Sequence, residues 1–113
     1  NALAIAVGSA HGFYKQTPQL QLELISEINR ATPAALVLHG SSGIPHDQLQ
    51  HAITNGITKI NLATEIKNAF MKKLKNHMDS TDEIDLRKVF PVATQAAIDL
   101  VTEKLNVINN PGI

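Results

Sequence analysis

The chain has 113 residues, ten Lys+Arg against ten Asp+Glu, and a formal net charge of zero at pH 7. That length allows one domain at most, and a neutral balance without a basic arm or acidic tail gives no reason to expect nucleic acid as a partner. With no cysteine, no apolar run near the ~18 residues of a membrane span and no charged-then-apolar leader at the first residues, disulfide frameworks, thiolate metal sites and a membrane partner drop out of the expectation, which is a soluble, cytoplasmic protein.

In chain order, the first apolar run covers residues 3–7 and lacks polar alternation, the pattern of a strand buried on both faces of a parallel sheet. After Pro18, Leu20, Leu24, Ile25 and Ile28 share one face of a first helix, which Pro33 ends. Residues 34–38 form a second continuous apolar run. Pro45 then opens a second helix, with Leu49, Ala52 and Ile53 inward and Asn55-Gly56 closing it. The third run, residues 57–62, is mixed but rich in β-branched residues. A third helix follows with Ile66, Ala69, Phe70 and Leu74 on its apolar side and Lys67, Lys72 and Lys75 on its wetter sides. Residues 79–87 read as a polar connector. A fourth helix is expected from Val92 to about Leu105, burying Ala93, Ala96, Ala97, Leu100 and Val101, and the tail from Asn109 onward is expected to fray. The order is β-α-β-α-β-α with one more helix.

Two of the apolar runs end the same way. "LAIAVGSAHG" closes on His11-Gly12 and "ALVLHGSSG" carries His39-Gly40. The two histidines are separated by close to the ~30 residues of one βα unit. Consecutive units of that kind set the ends of parallel strands side by side, on the rim where α/β sheets and barrels hold their ligands. The third run ends in "NLATE", which adds Asn61 and Thr64 to that rim. A lone histidine at a strand end is ordinarily structural; a repeated His-Gly pair suggests neutral imidazoles offered to a zinc ion. A catalytic zinc takes three protein ligands, so a third must come from elsewhere. His46, His51 and His77 fall in helical stretches among polar residues and read as surface histidines.

The loop Gly40-Ser41-Ser42-Gly43 is by default a tight turn. Between a buried strand and a helix start it also lets backbone N–H groups and two hydroxyls approach an anion. Thr64 reads as the N-cap of the third helix, a place that also points donors at a phosphate. Lys59 leaves a Schiff-base lysine conceivable, but the histidine pair already offers a way to stabilise a carbanion.

Taken together, "LAIAVGSAHGFYK", "LVLHGSSGIP" and "GITKINLATEIKNAF" resemble the last three strand-loop units of class II, zinc-dependent ketose-bisphosphate aldolases. "DLRKVFPVATQAAIDLV" resembles, more loosely, their C-terminal helical segment. The resemblance implies the C-terminal part, about strands 6–8 with their helices, of a TIM (β/α)8 barrel that is not closed by itself. Residues 1–113 would then be one part of one barrel domain. It implies His11 and His39 as zinc ligands, and Gly12, Gly40, Ser41, Ser42, Asn61, Leu62, Ala63 and Thr64 as the site for dihydroxyacetone phosphate. Leu62 stands for the usual valine, and Ser41 where glycine or alanine is commoner.

The implied reaction is reversible retro-aldol cleavage of tagatose or fructose 1,6-bisphosphate to dihydroxyacetone phosphate and glyceraldehyde 3-phosphate. A zinc Lewis acid offsets the developing enediolate charge. The resemblance leaves open a monovalent cation, Na+ or K+, beside the phosphate, and implies a homo-oligomer. Family barrels run to roughly 250 residues or more. Their first half carries the third zinc-binding histidine and the proton-transferring aspartate, so no catalytic acid or base is expected in this chain and the missing N-terminal half is its required partner. The alternative is a non-catalytic zinc- and phosphate-binding or structural fragment. A third metal ligand from another segment separates the two.

Overall fold

A computed structural model describes residues 1–109 of the chain. Seven elements alternate as the apolar runs require: β1 (Ala2–Ala4), α1 (Leu22–Ala31), β2 (Ala35–Leu38), α2 (His46–Thr54), β3 (Ile57–Ile60), α3 (Thr64–Ser80) and α4 (Leu86–Asn109). The expected frayed tail, apart from Asn109, lies outside the described residues.

The three strands form one open, all-parallel sheet in the order β1-β2-β3. Helices α1 and α2 make the crossovers that parallel neighbours need. β2 is central and takes the burial its sequence announces: Leu36, Val37 and Leu38 are all buried. β1 differs from expectation, since Ala2–Ala4 is exposed throughout and burial begins just beyond it at Ile5 and Val7. The reason is position: β1 is an edge strand, so its outer side has no neighbour among the described residues. Ile5 N–H still bonds Val37 O at 3.3 Å, which carries the pairing past the strand proper. Between Leu36 and Val37 the β2–β3 register slips, Leu36 facing Ile57 and Val37 facing Lys59. Thr58 is the extra residue, and its hydroxyl donates to Leu36 O at 3.2 Å.

Ile25 of α1, Leu49 and Ala52 of α2, and Ile44 before α2 close over Ile5, Val7, Leu36 and Leu38 to make the core. Leu20 joins that core but lies ahead of α1, not within it. Gln48 explains why. Its Oε1 accepts from Leu20 N–H at 2.8 Å and its Nε2 donates to Pro18 O at 3.0 Å, so the 18–20 backbone is held outside the helix by a side chain of α2.

α3 and α4 pack chiefly on each other. The molecule measures 57 × 27 × 27 Å with a radius of gyration of 17.0 Å, against about 13 Å for a compact chain of this length. The expected stripe Ile66, Ala69, Phe70 and Leu74 is accordingly half-buried, and Phe70 meets Phe90 of α4 with ring centroids 6.2 Å apart.

α4 starts six positions before the expected Val92 and runs through Pro91. Proline inside a helix forfeits one N–H bond, which disfavours a helix that runs through it. What overrides that is a strong cap. Asp85 Oδ1 accepts the Arg87 N–H at 3.0 Å, its backbone carbonyl accepts from Lys88 and Val89, and its carboxylate grips the Arg87 guanidinium through both oxygens. The polar connector therefore shrinks to residues 81–85. Buried along α4 are Val89, Ala93 and, unexpectedly, Lys104; Val101, read as buried, is exposed.

The hydrogen bonds from the Arg87 side chain and backbone hold the Asp85 carboxyl below its ordinary value. A depressed carboxyl stabilises the fold above the unfolded-state value, and that contribution is lost as pH falls through the lower folded-state value. Asp85→Ala is therefore expected to lower the melting temperature at neutral pH, and the gap to wild type to narrow in strong acid. Thermal melts of both proteins across that range check it.

Candidate functional site

Because the strands are parallel and adjacent, their C-terminal ends open onto one rim. His11 follows β1 and His39 follows β2, and the two imidazoles meet edge to face with centroids 5.2 Å apart and planes at 71°. Two imidazoles on one tetrahedral zinc, with Zn–N near 2.0–2.1 Å, put their centroids about 5 Å apart. His39 Nδ1 is buried and has no hydrogen-bond partner among the described residues. A buried nitrogen left unpaired costs about 1–3 kcal/mol, so the ring is suited to a ligand rather than to a structural role. The pair fits a metal. No third His, Cys, Asp or Glu joins it among the described residues.

Two local devices force the loops together. Gly40 has φ of +59°, and a Cβ there would lie 2.2 Å from Ala10 O and 2.8 Å from His11 N. Only glycine lets the β2 loop touch the backbone that carries His11. Tyr14, the single tyrosine, spans the same seam: its hydroxyl accepts from Ala10 N–H at 2.7 Å and donates to Gly40 O at 2.7 Å.

Beside the histidines lies a cavity of about 340 Å³. Its walls bring together Gly12, Gly40, Ser42, Asn61, Leu62, Ala63 and Thr64 with His11, drawn from all three strand-end loops. Backbone bonds continue the β2–β3 pairing into the rim, with Asn61 N–H to Leu38 O at 3.0 Å and Ser41 N–H to Asn61 O at 3.2 Å. Ser41 is fully buried, donates its hydroxyl back to Leu38 O at 3.0 Å, and does not line the cavity. Ser42 lines it and accepts the Glu65 N–H at 3.1 Å. Thr64 is the first residue of α3 rather than its cap: Ala63 takes that position, with no side-chain cap bond. Of the other candidates set aside from the sequence, Lys59 is exposed on β3, while His46 reaches Glu103 at 3.6 Å and Lys104 Nζ at 3.4 Å.

The sequence reading missed Lys67, placed there only on a wetter side of α3. It lines the cavity one turn after Thr64 and has no carboxylate partner among the described residues. Among the described residues it is the one permanent cation of the wall, at the helix end that favours anions. Its spacing of three from Thr64 was the available signal.

A parallel sheet whose strand ends gather two histidines and a small-residue cavity defines an α/β protein with a candidate ligand rim. Residues 1–112 match the profile of the family described as class-II fructose-bisphosphate aldolase, and the chain belongs to that family. It is 38% identical over 109 residues to a sulfofructosephosphate aldolase of Alkalicoccus urumqiensis, a match covering 96% of this chain and 38% of the relative. Among solved structures it is similar to the YdjI aldolase of Escherichia coli K12, with a TM-score of 0.81 and 32% identity over 98% of this chain and 40% of that one. It is also similar to a protein of Coccidioides immitis described as a putative fructose-1,6-biphosphate aldolase, with a TM-score of 0.86 and 26% identity over 99% of this chain and 39% of that one. The chain thus spans about two fifths of the length of these relatives.

Gly40→Ala is expected to part the two histidine loops, costing more than about 2 kcal/mol because the clash is with backbone. Gly12→Ala, with a φ of +89° but open space around it, is expected to cost only about 1 kcal/mol. Chemical denaturation of the two variants ranks them.

Proposed function

We propose that this chain is the C-terminal part, about strands 6–8, of a class II ketose-bisphosphate aldolase barrel, and that residues 1–113 form one part of a single domain. The reaction is reversible cleavage of tagatose or fructose 1,6-bisphosphate to dihydroxyacetone phosphate and glyceraldehyde 3-phosphate. The observation that carries this reading is the edge-to-face pairing of His11 and His39 beside a cavity walled by small residues. Open edges on β1 and β3, and exposed apolar side chains such as Leu3, support further strands from an N-terminal half.

His11 and His39 would hold the zinc ion, with the third ligand supplied by the N-terminal half. When bound, zinc supplies Lewis-acid stabilisation of negative charge on the substrate oxygens. The chain's own residues do the binding. Gly12 and Gly40 let backbone approach the phosphate, while Ser42, Asn61 and Thr64 offer polar groups and Leu62 and Ala63 complete the wall. Ser41 acts from behind, tying the loop to β2. The Lys67 ammonium adds charge complementarity to a phosphate held at the start of α3. The proton to and from the aldol hydroxyl is moved by an aspartate of the N-terminal half. A sodium or potassium ion beside the phosphate, a homo-oligomeric state and a cytoplasmic site of action belong to the same reading; among the described residues no helix is long and apolar enough to cross a membrane.

The likeness to a sulfofructosephosphate aldolase supports a second substrate, a sulfofructose phosphate, whose phosphate the same cavity would take.

The test is zinc content and affinity of the purified chain beside the His11→Ala/His39→Ala double variant. Roughly stoichiometric zinc that the variant loses is the expected result. Zinc retained by the variant would remove the histidine pair from the site, and no zinc in either would mean that the site needs the N-terminal half or that the two strand ends do not converge on a metal. Lys67→Met is expected to weaken binding of inorganic phosphate roughly tenfold, the scale of one charged contact, as read by titration calorimetry.

A further inference from the structure

Lys104 sits near the end of α4, far along the chain from the strand-end loops, yet it is only 5% exposed. Its ammonium bonds Glu65 Oε2 at 2.9 Å, with the two side chains 6% and 18% exposed. Burying a cation is costly unless a well-placed anion meets it, so this pair is held for a reason beyond solubility. The other Glu65 oxygen, Oε1, accepts the backbone N–H of Gly43, and Glu65's own N–H donates to Ser42 Oγ at 3.1 Å. Glu65 is the second residue of α3. Glu65 therefore links three segments: its carboxylate meets α4 at Lys104 and the Gly40–Gly43 loop at Gly43, and its backbone N–H ties Ser42 to the first turn of α3 next to Thr64.

We propose that Lys104 is a positioning residue for the phosphate cavity: it fixes the Glu65 carboxylate, which straps the loop carrying Gly40 and Ser42 against the start of α3. Neither residue lines the cavity, so the effect on ligand passes through the strap. The proposal rests on reading the cavity as a phosphate site, but the strap has a readout of its own. Gly43 is exposed, so slow exchange of its amide depends on the bond to Glu65. Asn61 N–H, bonded to Leu38 O, lies outside the strap and serves as the internal reference.

The experiment measures amide exchange at Gly43 and Asn61, and affinity for inorganic phosphate, in the full chain and in Lys104→Met, Lys104→Arg and Val89→Ala. Val89 is buried in the same helix, roughly 22 Å along the axis from Lys104 at ~1.5 Å per residue, so its truncation removes packing away from the strap. Expected are loss of Gly43 protection with Asn61 retained in Lys104→Met, roughly tenfold weaker phosphate binding, and recovery of both in Lys104→Arg. Val89→Ala should lower the melting temperature while leaving Gly43 exchange and phosphate affinity near wild type. Unchanged Gly43 protection in Lys104→Met overturns the strap, as does an equal loss of affinity in Val89→Ala. A wild-type chain that binds no phosphate overturns the functional reading of the cavity instead, and Gly43 exchange still decides whether Lys104 sets the loop.

Discussion

The parallel pairing of β2 with strands on both sides governs everything at the rim. Once Leu36, Val37 and Leu38 are buried between β1 and β3, each strand must end on the same side of the sheet. The chain then has to return through a helix before it can pair again. That single constraint delivers His11, His39 and Asn61 to neighbouring positions. It also explains why the loops there are made of small residues: three chain segments converge within a few ångströms, and at Gly40 even one Cβ would collide with Ala10 and His11. The positive φ and the close approach are two sides of one requirement, and glycine meets both.

The rim is stabilised from behind by polar groups, each satisfied locally. Ser41 returns its hydroxyl to β2, Tyr14 joins the Ala10 and Gly40 backbones, and Glu65 spans loop and helix. Such bonds contribute modestly while intact and cost more when one partner is removed. The exceptions are Ser9 Oγ and His39 Nδ1, buried with no partner among the described residues. His39 Nδ1 belongs to one of the two imidazoles that we propose as zinc ligands.

The helical layer has a different character. α1 and α2 cover the sheet, whereas α3 and α4 lean on one another and leave Met71, Met78, Ile84, Leu86, Phe90 and Leu105 exposed. Beneath α1 and α2 the sheet supplies an apolar floor. α3 and α4 instead share an interface of half-buried side chains, fastened to the site by the Glu65–Lys104 pair. The chain belongs to the class-II fructose-bisphosphate aldolase family, and in parallel α/β folds generally the strand-end loops carry ligands while the helices carry the packing.

The sequence by itself determined the element order, the central strand and the repeated His-Gly signature, because hydrophobic period and Gly/Pro punctuation are local properties. It also put the Gly40–Gly43 loop, Asn61 and Thr64 on the strand-end rim, since their spacing follows the βα repeat, whereas Gly12, Leu62 and Ala63 were marked only by the family resemblance. What it misjudged was decided by distant partners. Leu20 carries helical spacing, but the Gln48 amide holds its backbone outside α1. The apolar stripe that starts near Val92 suggests a later helix, yet the Asp85 cap begins α4 at Leu86 and carries it through Pro91. β1 reads as doubly buried, but only the sheet order makes it an edge. Lys104 has no local mark at all, because a buried cation is recognisable only by the carboxylate that meets it, and Glu65 lies one helix away. Periodicity is written along the chain, whereas strand order and the pairing of buried charges arise only when the chain closes on itself.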